Sequence, residues 1–304
     1  MKKLMSIILA LLMVLMLAAC GDAEADEASA PDAVAEGNIA VQDETQETEN
    51  ETEIVFEEMT VVDNEYCTIK ITEIIPDDMW DYTLKLFLEN KSSDVTYMFA
   101  GESAAINGIE IEPFFASEIA PGKKANEEII LLDTELTENG VIEYTDIELS
   151  FRVYDTNDWM ADAVAEESVH IYPYGEANAT AYGRQPQPDD HVIIDNENVT
   201  VIVTGYDQDG LWGYTVNLFL VNKTDTTVMF SAEEVSVNGF MLDPFYASSV
   251  SAGKSEFSSM SWFDTDFEDN GIENVENIEL TFRAYNEDDW SADDYANEMI
   301  SLVP

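Results

Sequence analysis

Tyr82-Thr83-Leu84-Lys85-Leu86-Phe87-Leu88 sets Tyr82, Leu84, Leu86 and Leu88 on one face, and Tyr214-Thr215-Val216-Asn217-Leu218-Phe219-Leu220 repeats that alternation 132 residues later. A period of two is the signature of a half-buried strand. The repetition extends outward from it. Asp63-Asn64-Glu65, Asn90-Lys91, Asn107-Gly108, Pro113-Phe114, Gly122-Lys123, Asn139-Gly140 and Asp158-Trp159 recur as Asp195-Asn196-Glu197, Asn222-Lys223, Asn238-Gly239, Pro244-Phe245, Gly253-Lys254, Asn270-Gly271 and Asp289-Trp290, the offset slipping from 132 to 131. Ile147-Glu148-Leu149-Ser150-Phe151-Arg152-Val153 and Ile278-Glu279-Leu280-Thr281-Phe282-Arg283-Ala284 predict a second duplicated strand.

Turn signals divide each copy. Asn107-Gly108 and Asn238-Gly239 predict two-residue hairpins, because a type I′ turn needs positive φ at both central positions. Asp133 to Gly140, and Asp264 to Gly271, read as one short helical turn with an Asp or Thr cap, acids at its positive end and Gly at a left-handed exit. No helical stripe of comparable length to the strands appears. Seven or eight strands in each copy match the spacing of a two-sheet sandwich. The paired cysteines of an antibody domain are missing, so the expectation is all-β: two tandem immunoglobulin-like β-sandwich domains, residues 54–173 and 192–304, with topology open. Residues 174–191, containing Gly175, Gly183, Pro186 and Pro188, read as a linker between independent units.

Residues 1–19 have the pattern of a secretion signal. Lys2 and Lys3 precede an apolar run, Ile7 to Leu17, that is short for a membrane span. The run closes in Leu17-Ala18-Ala19-Cys20, which resembles the lipobox of bacterial lipoproteins. That resemblance implies cleavage before Cys20 and a diacylglycerol on its sulfur, two acyl chains being enough for stable anchoring. The alternatives are an uncleaved anchor or an ordinary signal with an accidental cysteine. Residues 20–53 are rich in Ala, Glu, Asp, Thr and Asn and lack Lys, Arg and aromatic residues, the composition of a disordered acidic tether. Such a tether reaches roughly 30 Å as a coil and at most about 110 Å stretched.

The chain has 64 acidic and 12 basic residues, a formal charge of −52. It offers no basic patch for phosphates, which argues against nucleic acid as a partner. Cys67 is the only cysteine besides Cys20, and its counterpart is Val199, so it reads as a small buried hydrophobe. The two histidines, His170 and His191, are not matched. With no zinc-type spacing, phosphate loop or nucleophile elbow, no catalytic residue is assigned.

Two binding chemistries remain. Hard oxygen ligands gather around the repeated Trp: Asp155, Asp158 and Asp162 in the first copy, and Asp288, Asp289, Asp293 and Asp294 in the second. Ca²⁺ takes six to eight oxygens, so these loops are candidate metal sites, with a solvated acidic loop as the plainer alternative. Aromatic residues offer a platform for a protein, peptide or glycan. Trp159 matches Trp290 and Trp80 lies near the position of Trp212, whereas Trp262 faces Leu131 across the repeat. Duplicated Trp residues usually anchor a sandwich core. The unmatched Trp262, with Phe245 and Tyr246 beside Pro244, is therefore the candidate for an exposed partner-binding position.

Val235-Ser236-Val237-Asn238-Gly239-Phe240 through Asp243-Pro244-Phe245, Ala252-Gly253-Lys254, Asn270-Gly271-Ile272 and Asp289-Trp290-Ser291-Ala292-Asp293 resemble the repeat of uncharacterised cell-surface lipoproteins of Firmicutes. The resemblance spans both copies and implies a surface β-sandwich on a Gram-positive cell, without implying an activity. The first copy departs from it at Ile109-Glu110-Ile111-Glu112, Met160 and Ala163. The expected function is a membrane-anchored, extracellular, non-enzymatic binding or interaction module. A calcium-binding or calcium-stabilised surface domain is the alternative, and a wall-polymer hydrolase a more distant one.

Overall fold

The computed structural model describes residues 53–77, 81–131 and 134–304. The signal peptide, Cys20 and nearly all of the acidic tether lie outside the described residues, as does Trp80. The rest is all-β, two immunoglobulin-like sandwiches built to one plan.

In the first copy, strands β1 (Met59–Asp63), β2 (Cys67–Asp77), β3 (Asp81–Asn90) and β7 (Lys124–Leu131) form one antiparallel sheet in the order β1-β2-β3-β7. The facing sheet runs β5 (Ile109–Ile111), β4 (Tyr97–Ile106), β8 (Ile147–Asp155) and β9 (Ala165–Ile171), with β6 (Ala116–Ile119) also on β4. The second copy repeats this with β10 (His191–Asp195), β11 (Val199–Gly210), β12 (Gly213–Asn222) and β16 (Ser255–Trp262) in one sheet. Its other sheet has β14 (Phe240–Met241), β13 (Val228–Val237), β17 (Ile278–Asn286) and β18 (Ala296–Leu302), with β15 (Ser248–Val250) also on β13. The short β5 and β6, and their twins, raise the count among described residues above the seven or eight expected.

Alternation makes the cores. Leu84, Leu86 and Leu88 point inward from β3, as do Val216, Leu218 and Leu220 from β12. Cys67 and Val199 are fully buried at matched positions, and burial pushes the Cys67 thiol up to about 11, far from a reactive thiolate. Asn107 and Asn238 have φ of 52° and 51°, followed by Gly108 and Gly239 at 86° and 83°, the backbone a type I′ turn demands. The helical turns are present as α1 (Thr134–Glu138) and α2 (Asp264–Asn270), the latter leaving through Gly271 in the left-handed region. Asp264 sits inside the first turn of α2 instead of capping it; Phe263 holds the cap position without a side-chain bond.

The repeated polar residues are framework. Asn64 Oδ1 accepts the amides of Tyr66 and Cys67 while its Nδ2 donates to Val164 O; Asn196 does the same with Asn198, Val199 and Tyr295. Buried Asn90 donates to the carbonyls of Val95 and Ile119, and Asn222 to those of Thr226 and Val250. Leaving such carbonyls unpaired would cost about 1–3 kcal/mol each.

The linker departs from the expectation of independent units. Gly108 O accepts the amide of Ser255, so β5 and β16 meet edge to edge in parallel and one sheet runs through both copies. Glu110 accepts both the amide and hydroxyl of Ser251, at 2.7 and 2.8 Å, and Glu148 pairs with Lys254. From the linker, Tyr182 packs edge-on against Phe219 and Phe257. Arg184 lies over Phe219 and makes a buried two-point ion pair with Asp190. The linker sequence shows no periodicity because only single side chains, Tyr182 and Arg184, pack on the second copy, and the segment between them and β10 is no strand.

Candidate functional site

The aromatic candidates sort against the sequence expectation. Trp262, read as a surface position, is 1% exposed. It lies inside the second sandwich between Tyr214 and Phe267, with its indole donating to Leu242 O at 2.9 Å. This corrects its role: Trp262 is core, because it is the inward residue opposite Tyr214 in the β12–β16 register. Tyr246 is half-buried against Phe282 with its hydroxyl enclosed. Phe245 is 76% exposed, its backbone paired with Ser261. The duplicated Trp159 and Trp290, expected inside, stand in solvent at 65% and 76% exposure.

The acidic candidates are dispersed into local hydrogen bonds. Asp155 accepts from the Asn157 amide and side chain, and Asp289 from the Ser291 amide and hydroxyl, which holds the Asp289 carboxyl below its ordinary range. Asp294 is bound at two points by Arg283, both at 2.9 Å, and is likewise depressed. The Asp288 amide donates to Asn286; the side chains of Asp158, Asp162 and Asp293 are exposed. Among the described residues no three Asp, Glu, His or Cys side chains come together in a way that would hold a metal ion.

A different place concentrates exposed apolar surface beside a cleft: one end of the second copy, where the β11–β12 hairpin meets α2. The hairpin turns through Gly210-Leu211-Trp212-Gly213, with Gly210 paired to Gly213. Gly213 has φ of 97°, and a Cβ there would fall 2.3 Å from Trp262 O, so only glycine lets the hairpin close onto β16. The turn lifts Leu211 and Trp212 into solvent, and Phe263 is exposed at the end of β16. Between β11 and α2 lies a cleft of about 270 Å³, lined by Tyr214, Phe267, Ile272 and Val275 together with Gln208, Asp209, Asp264, Glu268, Glu273 and Asn274.

The first copy packs the same place differently, with Leu131 and Leu136 where the second has Trp262 and Phe267 packed on Tyr214. Leu136, Val141 and Tyr144, matched to Phe267, Ile272 and Val275, are all buried, whereas the second-copy residues are half-buried. Tyr144 stacks on Tyr82, the twin of Tyr214, with ring centroids 4.6 Å apart at 17°. The Tyr82 hydroxyl shares a hydrogen bond with that of Tyr174 from the linker. Tyr214 is 5% exposed, yet among the described residues its hydroxyl has no hydrogen-bond partner, and burial pushes it up to about 12. The sequence signal for this difference is three unlike pairs, Leu131 and Trp262, Leu136 and Phe267, and Tyr144 and Val275.

No family model matches the chain, and no curated protein does. Solved structures similar to it include the YadV chaperone, at 11% identity and a TM-score of 0.24 over 78% of this chain and 99% of that one. Another is the Salmonella enterica SafA pilin in complex with the SafB chaperone, at 9% identity and 0.23 over 81% and 100%. A third is the Amycolatopsis orientalis exo-chitosanase CsxA, at 10% identity and 0.22 over 73% of this chain and 25% of that one. Likeness at this level carries no activity across.

Proposed function

We propose that the chain is a non-enzymatic binding module on the extracellular face of a bacterial membrane. Cys20 anchors it by lipid, and the second sandwich presents its hairpin end to a surface protein, peptide or glycan. The observation that carries the reading is the exposed set Leu211, Trp212 and Phe263, three large apolar side chains close in sequence to one tight turn and the strand end that pairs with it. Large apolar side chains held in solvent by a closed turn and a strand end mark recognition surfaces more often than they mark packing. The leader supports the location: Lys2, Lys3, the apolar run and Leu17-Ala18-Ala19-Cys20. The bonded junction supports a stiff two-sandwich arm.

Two measurements test this. Expressed in a bacterial host, the chain should incorporate labelled fatty acid and partition with membranes, and Cys20→Ser should release it. On purified envelopes, Trp212→Ala combined with Phe263→Ala should lower retention at least tenfold, as expected for losing two aromatic anchors. Protease-treated against glycan-stripped envelopes assigns the partner class. Retention unchanged by the double substitution would return these residues to ordinary surface.

A further inference from the structure

We infer that the chain associates with further copies of itself, head to tail, by repeating between molecules the edge contact that joins its two sandwiches. This association uses none of Leu211, Trp212 and Phe263, so it goes beyond the binding reading and does not depend on it.

Within the chain, β5 of the first copy meets β16 of the second, which makes one nine-stranded sheet. What remains is the four-stranded sheet β1-β2-β3-β7 and the five-stranded sheet that begins at β14, the two halves of a second such sheet. β14 is the twin of β5 and β7 the twin of β16, and each ends its sheet. The backbones agree as well. Asn238 and Gly239 have φ of 51° and 83° against 52° and 86° at Asn107 and Gly108, so the Gly239 carbonyl is held as Gly108 O is. β7 starts at Lys124 and β16 at Ser255, so the Lys124 amide stands where the Ser255 amide donates across the internal join. An open strand edge is a template for another strand, and a head-to-tail contact that does not close on itself extends as a row of molecules.

The side chains point the same way. Across the internal join Glu148 pairs with Lys254, and their twins, Glu279 and Lys123, are both exposed. Among the described residues every other Lys and Arg makes an ion pair, whereas Lys123 makes none. In a chain of 64 acidic residues, the cation left without a carboxylate is thus the one placed to meet Glu279 of the next molecule. Glu110, which holds Ser251, becomes Met241, and Ser251 becomes Ala120. Met241 is 68% exposed and its neighbour Phe240 45%, so an apolar contact takes the place of a hydrogen-bonded one. No linker crosses between molecules, so Tyr182 and Arg184 contribute nothing there and the contact is weaker than the internal one.

The test is sedimentation equilibrium of the full chain in density-matched detergent with micelles in excess, from micromolar to near-millimolar protein. The ionic strength is about 0.15 M, where the Debye length is about 8 Å and repulsion between molecules of charge −52 is screened. We expect a weight-average mass that climbs past the dimer without a plateau. Lys123→Glu and Glu279→Lys should each weaken association about tenfold by setting like charges across the contact. The two together, which restore the pair with its signs exchanged, should recover most of the loss. Met241→Glu with Ala120→Ser, which copies the contact of Glu110 with Ser251, should tighten association about tenfold. A mass that stays monomeric throughout, a dimer that grows no further, association indifferent to both charge reversals, or a double reversal as weak as either single one would overturn the inference.

Discussion

Tyr144 of the first copy becomes Val275 in the second, and Asn126 and Lys70 of the first become Phe257 and Ile202. The first pair lies at the hairpin end, the other two on the sheet face that Tyr182 and its neighbours cover. On that face the first copy is polar and the second apolar, whereas at the hairpin end the first buries a tyrosine where the second has a valine. The copies agree at Asn64, Asn90 and Asn107 and their twins, whose side chains bond backbone that sheets leave unpaired. Duplication thus separates what holds a sandwich together from what each sandwich is for.

The largest effect expected from breaking this asymmetry is at the junction. Arg184→Ala leaves Asp190 buried without its partner and strips the cation from Phe219. Loss of one member of a buried pair costs about 3–5 kcal/mol. Denaturant unfolding followed by fluorescence should move from one transition to two, the second copy separating from the first. A single unshifted transition would show that the strand contact between β5 and β16 suffices alone.

Much of this fold was legible in the sequence. The alternation in Tyr82–Leu88 and Tyr214–Leu220, the Asn-Gly turns and the Gly exits are local properties, decided by sterics within a few residues. What was illegible depends on register and on contacts distant in sequence. Whether Trp262 or Trp290 faces inward is set by which residue of β16 stands opposite Tyr214, and by where the chain leaves β17. The junction escaped because Tyr182 and Arg184 pack on Phe219 and Phe257, residues distant in sequence. The acidic loops appeared as ligand clusters because composition counts carboxylates without counting the amides, hydroxyls and guanidinium that bind them.

An intermediate effect is expected from making the first copy resemble the second. Tyr144→Val removes a ring that is stacked and almost wholly enclosed, and large-to-small core changes of this kind cost about 2–4 kcal/mol. Thermal melting should show the loss. Leu136→Phe added to Tyr144→Val, which supplies the ring the second copy uses at this place, should recover part of the loss; no recovery would mean that the two copies do not trade these rings for one another.

The smallest effect concerns the loops after the repeated strand, where Asp294 in the second copy meets Ala163 in the first. Arg283 depresses the Asp294 carboxyl, so folding gains from the ionised form. With the native value below the unfolded one, that gain is complete above the ordinary carboxylate range near pH 4 and drains as pH falls through the depressed native value. Asp294→Ala should cost about 1 kcal/mol at pH 7, a modest amount because the pair keeps some contact with water. At pH 2 it should cost almost nothing. The same carboxylate is one that composition offers to calcium, and to bind there the ion would have to displace a two-point guanidinium contact. Millimolar calcium is therefore expected to raise the melting temperature no more than magnesium at matched ionic strength. A calcium-specific rise that survives Asp294→Ala but vanishes with Asp293→Asn would place the ion beside the Arg283 pair, and would make this loop, like the hairpin end, a place where the second copy has acquired something the first lacks.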